Sequence, residues 1–225
     1  MVFLNFVFLI SLDDMTNFIP IFPLSIVVYP SELLNLHIFE PRYKQLIREC
    51  VDQKKPFGIP TVLNDKMQEY GTLVEVLEVS KEYANGEMDI KTKGVQVFRI
   101  LEIIRDVPDK LYSGAIVTYP ENASQGSKEQ MRKVMTGIRE LHKVLKVEKN
   151  FLSTDEEIRS YDVAHHIGLS VDGEYELLCL FDERQRQEYL KRHLAKIIPL
   201  AGGMEDLKEK IKLNGHFKDL KGFNL

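Results

Sequence analysis

The chain has 225 residues, 44% hydrophobic and 28% charged, and a formal net charge of −4. This length predicts one or two domains with a hydrophobic core of their own. The acidic balance argues against broad, salt-dependent binding of nucleic acid. The two cysteines, Cys50 and Cys179, form neither a disulfide framework nor a zinc pattern, and both stand in apolar periodic stretches. They predict buried, reduced thiols in a cytoplasmic protein.

Residues 1–12 are strongly apolar, but they lack the charged start and the small-residue cleavage site of a signal peptide. They are also too short to cross a bilayer as a helix, so we expect no membrane association. Met15 stands just before the first segment with a clear pattern. We therefore expect Met15 to be the physiological start and residues 1–14 to be a gene-model extension, within an N-terminal extension of residues 1–17 that precedes the first domain. A weakly membrane-associating leader is the competing interpretation.

The segment from Ile19 to Val51 predicts two extended stretches followed by a helix. Its three prolines before Ser31 exclude a helix there, and the alternating residues Leu34, Leu36 and Ile38 predict a half-buried strand. Glu40-Pro41 then starts a helix, because proline suits the first helical position. The predicted buried face of this helix consists of Tyr43, Leu46, Ile47, Cys50 and Val51, and Pro56 sets its latest end.

The next seventy residues predict a β-rich region. Residues 57–63 form a short apolar run in which Pro60 indicates a sheet edge or a bulge, and residues 64–70 are expected to be a polar loop. In the run that begins at Gly71, the apolar alternation changes phase between Val76 and Leu77, which indicates a β-bulge. Asn85-Gly86 predicts a tight two-residue hairpin with positive φ at both positions. A return strand through Gly94 and a strand from Leu111 to Tyr119 follow.

The remainder predicts helices. Residues 121–126 indicate a linker, and Ser127 with Gln130 forms a capping-box pattern before a long apolar stripe. Further helices are expected over about 155–167 and 174–181, with Asp172-Gly173 as a turn between them. Asp182 and Gln185 are expected to cap the next helix, and residues 200–225 to carry one marginal helix and a frayed tail.

Three groups of motifs carry a family resemblance. The first is P-I-F-P-L, then Y-P, then L-x-L-H-I-F-E-P-R-Y; the second is the hairpin block with Gly94 and Phe98-Arg99; the third is L-C-L-F-D-E-R-Q-R-Q-E-Y-L. Together they resemble the Lon protease N-terminal domain family over roughly residues 18–198. The resemblance implies an α+β fold with four parts: the extension 1–17, a PUA-like β pseudobarrel with one early helix over 18–122, a helical domain over 127–198, and a Lys/Gly-rich tail over 199–225.

Motifs for catalysis are missing from the sequence. It has no phosphate-binding G-x-x-x-x-G-K-[ST] and no G-x-S-x-G, and Ser170 is expected to be a turn residue. His165 and His166 are adjacent on a predicted helix and point in different directions, so they do not form a chelating pair. We therefore expect no enzyme activity, no metal and no cofactor.

The resemblance implies a non-catalytic module that binds unfolded or exposed apolar polypeptide, as an adaptor for a separate protease or chaperone. The free edge of an open pseudobarrel would suit an extended chain. The candidate binding surface consists of Tyr29, His37, Arg42, Tyr43, Tyr83 and Tyr112, although core packing is the default for each tyrosine, and Glu40 with Arg42 could simply serve the strand-to-helix junction. The alternative is an RNA-binding protein, since PUA-like folds are used on RNA. Direct peptidase activity is a third hypothesis.

Overall fold

The structure is a computed structural model that describes residues 17–147, 154, 157–202 and 205–213. The expectations about Met15, the extension before residue 17, the first residues of the helix predicted from Asp155, and the end of the tail lie outside these residues. Within the described ranges, no helix is both long enough and apolar enough to cross a membrane.

The described residues form six strands and six α-helices, and five of these helices follow the last strand. The strands are β1 (Phe18–Pro20), β2 (Leu33–Ile38), β3 (Phe57–Leu63), β4 (Lys66–Glu82), β5 (Met88–Ile104) and β6 (Gly114–Thr118). The helices are α1 (Pro41–Gln53), α2 (Lys128–Leu145), α3 (Ser160–Val163), α4 (Val171–Leu178), α5 (Glu183–Ile197) and α6 (Glu205–Leu213). The early helix and the later helical domain agree with the expected α+β fold.

The strands form one antiparallel sheet in the order β1-β6-β5-β4-β3, with β2 paired to β5. The chain after β1 then runs along the outer side of β3. The Phe22 N–H donates to the Gly58 carbonyl at 2.8 Å, and the Val62 N–H donates to the Leu24 carbonyl at 2.9 Å. The sheet therefore curls into a pseudobarrel in which β3 is not a free edge. The bulge expected at Pro60 is present, because the β3–β4 register shifts between Pro60 and Val62.

Helix α1 begins as the sequence predicts. Glu40 is extended (φ −72°, ψ 135°), Pro41 is the first helical residue, and Lys54 ends the helix in the left-handed region with φ 52°. The backbone N–H groups of Lys54 and Lys55 cap the last carbonyls of the helix. One expectation is wrong: Val51 lies at the edge of the apolar face and is 40% exposed.

Two turns differ from the expectation. The predicted loop 64–70 is mostly strand, because Asn64 and Asp65 (φ 49° and 57°) alone form the turn between the paired residues Leu63 and Lys66. Two successive left-handed residues define a type I′ hairpin loop. At the predicted hairpin only Gly86 has a positive φ, and the Tyr83 N–H donates to the Glu87 carbonyl at 2.9 Å. This is a three-residue loop with a bulge, not a two-residue loop.

The helical domain begins at Ser127, whose side chain accepts a hydrogen bond from the Gln130 N–H, which is one half of the expected capping box. The reciprocal half differs, because the Ser127 N–H donates to Oε1 of Gln187 at 2.9 Å and not to Gln130. Asp182 caps α5 by accepting from the N–H groups of Arg184 and Gln185. The middle differs from the expectation. Helix α3 starts only at Ser160, and α4 starts at Val171 because Ser170 is its N-cap, so Asp172-Gly173 lies inside a helix and is not a turn.

The two parts share one continuous interface. The core of the helical domain extends onto the pseudobarrel residues Val27, Tyr29 and Val97. The expected linker 121–126 is docked through backbone hydrogen bonds, since the Ala123 N–H donates to Phe181 at 2.8 Å and the Glu183 N–H donates to Ala123 at 3.0 Å. A second core fills the pseudobarrel under α1. The helical domain therefore packs directly against the sheet.

Candidate polypeptide-binding groove

Three of the six candidate surface residues are buried. Tyr29, Tyr43 and Tyr112 are 0%, 3% and 7% exposed. The Tyr29 hydroxyl donates to the Glu174 carbonyl at 3.0 Å, and the Tyr112 hydroxyl donates to Glu49 at 2.5 Å. The Tyr43 ring stacks on Phe22 with 3.9 Å between ring centroids. These rings hold the fold together, which agrees with core packing as the default expectation for each tyrosine, and they are too buried to belong to the candidate binding surface.

The other three candidates are half-buried and engaged with neighbours. Nδ1 of His37 lies 2.7 Å from Oδ1 of Asp89, and the Tyr83 hydroxyl donates to Oδ2 of the same carboxylate at 2.8 Å. Burial would raise the pKa of Asp89, but these two hydrogen bonds outweigh it and lower that pKa. Nη2 of Arg42 donates to Glu40 at 2.9 Å, which fits the strand-to-helix junction. The contacts of Asp89 with His37 and Tyr83 hold the β4–β5 hairpin against β2.

The open part of the sheet lies elsewhere, along the second half of β4. The β3–β4 register ends at Phe57 opposite Val74, whereas β4 continues to Glu82. Among the described residues, positions 76–82 of β4 have strand partners in β5 only. The cause is local: the chain comes from α1 and enters the sheet only after Pro56. The N–H and C=O groups on the outer side of this segment therefore face away from the sheet.

A groove of about 500 Å³ lies beside this edge, between the last turn of α1 and β4. Its floor and walls are mainly aliphatic, and three of the aliphatic lining side chains are exposed: Val51 at 40%, Leu77 at 52% and Val95 at 45%. The lining residues are Cys50, Val51, Lys54, Lys55, Pro56, Leu73, Glu75, Val76, Leu77, Glu78, Val79 and Val95. An unpaired strand edge beside exposed aliphatic side chains can accept an extended chain.

The charges around the groove are arranged unevenly. On the β4 side, Glu78 pairs with Lys91 at 3.1 Å, and Glu75 lies opposite Lys93 in the β4–β5 register. On the α1 side, Lys54 and Lys55 are exposed, and neither ammonium makes an ion pair with any residue that the structure describes. The end of the groove next to Pro56 thus carries two lysines and one carboxylate, Glu75, and is the cationic end.

The thiols show no sign of activation. Burial, with Glu49 nearby, raises the pKa of Cys50 to about 12, and burial also raises the pKa of Cys179. Because the thiolate is the nucleophilic form, both groups are poor nucleophiles at neutral pH. In the described part of the chain, no three His, Cys, Asp or Glu side chains are grouped closely enough to hold a metal ion.

The mixed fold, with its six-stranded antiparallel sheet and mostly C-terminal helices, is that of Lon N-terminal domains. It is similar to the Lon N-terminal domain protein from Xanthomonas campestris, with a TM-score of 0.59 and 23% identity over 77% of this chain and 96% of that chain. It is also similar to the N-terminal domain of the Mycobacterium avium complex Lon protease, with a TM-score of 0.57 and 14% identity over 79% and 98% of the two chains.

The family model for the ATP-dependent protease La (LON) substrate-binding domain matches residues 19–196. The chain therefore belongs to this substrate-binding family. The match confirms the resemblance expected over roughly 18–198. It also supports the general function of this family, that of a substrate-binding module.

Sequence reasoning missed the groove residues Lys54, Lys55 and Leu77. A usable signal was present, because the strand pattern that begins at Gly71 continues to Glu82 and is longer than the run 57–63 that precedes it. Paired strands of unequal length leave an overhang. The overhanging part carries Leu77 on the phase opposite to Val74 and Val76, which predicts an apolar side chain directed outward.

Proposed function

We propose that this protein is a non-catalytic module that binds extended, apolar polypeptide segments in the groove beside β4. The observation that carries the proposal is the open edge of β4 next to exposed Leu77, Val51 and Val95. Membership of a substrate-binding family supports it.

Binding by strand addition uses two kinds of contact. The backbone of an added segment pairs with the outer N–H and C=O groups of β4, and its alternate side chains enter the groove. Residues 75–82 span about 25 Å at the usual rise of a strand. This length accommodates a segment of about seven residues. Backbone pairing is independent of sequence, so the module accepts many clients that share only an extended shape and apolar side chains.

The adaptor role follows from binding without chemistry. The two thiols are held in the protonated form by burial, and the histidines His37 and His165 each contact carboxylates. A bound segment would leave the groove intact and pass to a separate protease or chaperone. Incubation of the purified protein with casein, with no protease added, tests this directly: intact casein on a gel is expected, and fragments would contradict a non-catalytic role.

RNA binding is less well supported. Basic side chains on the sheet and on α1 are paired with carboxylates of the sheet, as in Arg48–Glu82 at 3.2 Å, Lys91–Glu78 at 3.1 Å and Arg99–Glu69 at 3.2 Å. Such pairs interrupt the continuous positive stripe on which phosphate binding depends. The net charge of −4 acts in the same direction.

The binding test uses fluorescein-labelled casein and the full chain, measured by fluorescence anisotropy at physiological salt. Leu77→Asp places a charge in the groove, and Leu101→Asp is the matched control, because Leu101 is 62% exposed on β5 and does not line the groove. We expect the first change to weaken binding at least about fivefold and the second to leave it unchanged. Equal binding by both variants would show that casein binds outside the groove. Binding of a labelled RNA oligomer in place of casein would overturn the proposal.

A further inference from the structure

The orientation of a strand added to β4 can be deduced from β3. Strand β3 is antiparallel to β4 and begins at Phe57, opposite Val74. An antiparallel segment added along residues 75–82 therefore lies in line with β3, on the side of its first residue. It runs in the same direction as β3. Its first residue lies near Glu82 and its last residue lies near Glu75. Its C-terminal end thus points at Pro56, where the chain itself enters the sheet.

The protein's own chain blocks the groove at the end next to Pro56. Lys54, Lys55 and Pro56 line the groove there, and Phe57 occupies the next position along β4. A segment from the middle of a client chain would have to turn sharply out of the groove at this point. A segment that ends there has no such requirement, so the shape of the groove favours a chain terminus.

The charge at this end favours a carboxylate. Exposed Lys54 and Lys55 line the groove at this end, together with one carboxylate, Glu75, which lies opposite Lys93 in the β4–β5 register. The other carboxylate of the groove, Glu78, is paired with Lys91 at 3.1 Å, so the two lysines outnumber the acidic side chain at this end. The C-terminal end of α1 contributes about half a negative charge, but its last carbonyls are already capped by the Lys54 and Lys55 N–H groups. The positive charges of Lys54 and Lys55 are therefore larger than the partial negative charge at the end of α1.

The opposite orientation is disfavoured by the same charges. A parallel segment would bring its N-terminus to Pro56, and a free α-amino group would then meet two lysines. The pairs among the six strands are antiparallel, which is also the slightly more stable arrangement, and parallel bridges occur only where Ile21 and Leu24 meet β3 within the described residues of this sheet. Geometry and charge agree on which end of a client reaches Lys54 and Lys55.

We propose that the groove selects the C-terminal ends of polypeptide chains: the last residues add to the edge of β4 in an extended, apolar segment, and Lys54 and Lys55 bind the terminal carboxylate. This inference rests on the proposed function, because it specifies which part of a client the groove prefers.

The test compares two peptides that differ in one group. A fluorescein-labelled octapeptide of alternating leucine and serine is made with a free C-terminal carboxylate and, separately, with a C-terminal amide. Anisotropy titrations with the full chain are expected to show about five- to tenfold tighter binding of the free carboxylate, since a charge-assisted contact of this kind gives about one factor of ten. The preference is expected to shrink as salt is added.

The double variant Lys54→Gln/Lys55→Gln removes both charges at exposed positions. We expect it to bind the two peptides equally, at the affinity of the amide. The control Lys66→Gln/Lys196→Gln changes two exposed lysines outside the groove and should keep the preference. Equal binding of both peptides to the wild type, still weakened by Leu77→Asp, would overturn the choice of chain ends and leave the proposed function standing. Binding of neither peptide would overturn both.

Discussion

His165 of the helical domain and Glu32 of the pseudobarrel form an ion pair, with Nε2 of the imidazole 3.2 Å from Oε1 of the carboxylate. The other ring nitrogen, Nδ1, lies 3.1 Å from Oε1 of Glu174. Because an ionised carboxylate only accepts hydrogen bonds, both ring nitrogens must carry a hydrogen. The imidazole is therefore a cation that joins the two parts of the protein.

This pair makes stability depend on pH. Burial would lower the pKa of His165, but Glu32 and Glu174 outweigh it and raise that pKa from 6.5 to about 10. Because the folded-state pKa lies above the unfolded value, the stabilisation is complete below pH 6.5 and is lost as the pH rises towards 10. We expect the difference in free energy of unfolding between wild type and His165→Gln to shrink by on the order of 3 kcal/mol over this range. Urea unfolding at several pH values measures it.

Two further results bear on the His165 prediction. Glu32→Gln keeps an acceptor for the Tyr29 N–H, which lies 2.7 Å from the Glu32 side chain, but removes one negative charge. It should therefore flatten the pH dependence without unfolding the protein. If the difference in free energy of unfolding between wild type and His165→Gln stayed constant from pH 6.5 to 10, the imidazole would be neutral.

The buried pair of Arg186 and Glu183 is expected to be sensitive to the loss of either partner. Both side chains are 2% exposed, with Nη2 of Arg186 2.9 Å from Oε2 of Glu183. Arg186 also donates to Ser160 and to the docked segment at Asn122. Arg186→Met leaves a buried carboxylate without its cation and should lower the free energy of unfolding by about 3–5 kcal/mol. The exposed Arg184→Met should change it by less than about 0.5 kcal/mol; similar losses for both would contradict this account.

Gly94 is required because the chain segment that carries Tyr29 passes directly over it. A Cβ at this position would lie 2.1 Å from the Tyr29 carbonyl oxygen. Two hydrogen bonds of 2.9 Å, from Ser31 to Gly94 and from Gly94 to Glu32, hold this segment in place. We expect Gly94→Ala to destabilise the protein by more than about 2 kcal/mol in urea unfolding. Gly202→Ala is the control, because none of the atoms that the structure describes lies within 4 Å of its Cβ position.

One substitution is expected to stabilise the protein. Asp65 has φ 57° in the β3–β4 turn, where glycine suits a type I′ turn better than aspartate does. Asp65→Gly should raise the urea midpoint, corresponding to about 0.5 kcal/mol, because relief of the left-handed strain exceeds the added entropy of the unfolded chain. Asn85→Gly should instead lower it, since Asn85 has no positive φ to relieve. A rise for Asn85→Gly alone would show that the two turns have been assigned the wrong way round.

The sequence correctly predicted features that depend on a few neighbouring residues, such as helix starts and a β-bulge. Glu40-Pro41 fixed the start of α1, Asp182 fixed the start of α5, and the change of phase after Val76 predicted a register shift that the structure shows between Val76 and Glu78. Each of these depends on a few neighbouring residues.

The errors concern features that depend on distant parts of the chain. Tyr29 is a candidate for the binding surface on sequence alone, with core packing as its default, but its hydroxyl donates to a carbonyl 145 residues away and its ring is buried. The segment 66–70 reads as a loop because it is polar, yet it is held as strand by pairing with β3 and β5. The closure of the sheet by residues 22–24 covers β3, so the open edge lies on β4.

The charges on the open edge have a consequence for contacts between copies of the protein. Within eight residues this edge carries Glu75, Glu78, Lys81 and Glu82, so two copies that met edge to edge would bring three carboxylates of each strand close to those of the other. Charged side chains on an edge strand are a common protection against such self-assembly. A client segment whose only carboxylate is at its C-terminus brings one negative charge to this edge, at the end where Lys54 and Lys55 lie. The edge can therefore remain uncovered at high protein concentration while growth of a continuous intermolecular sheet is opposed.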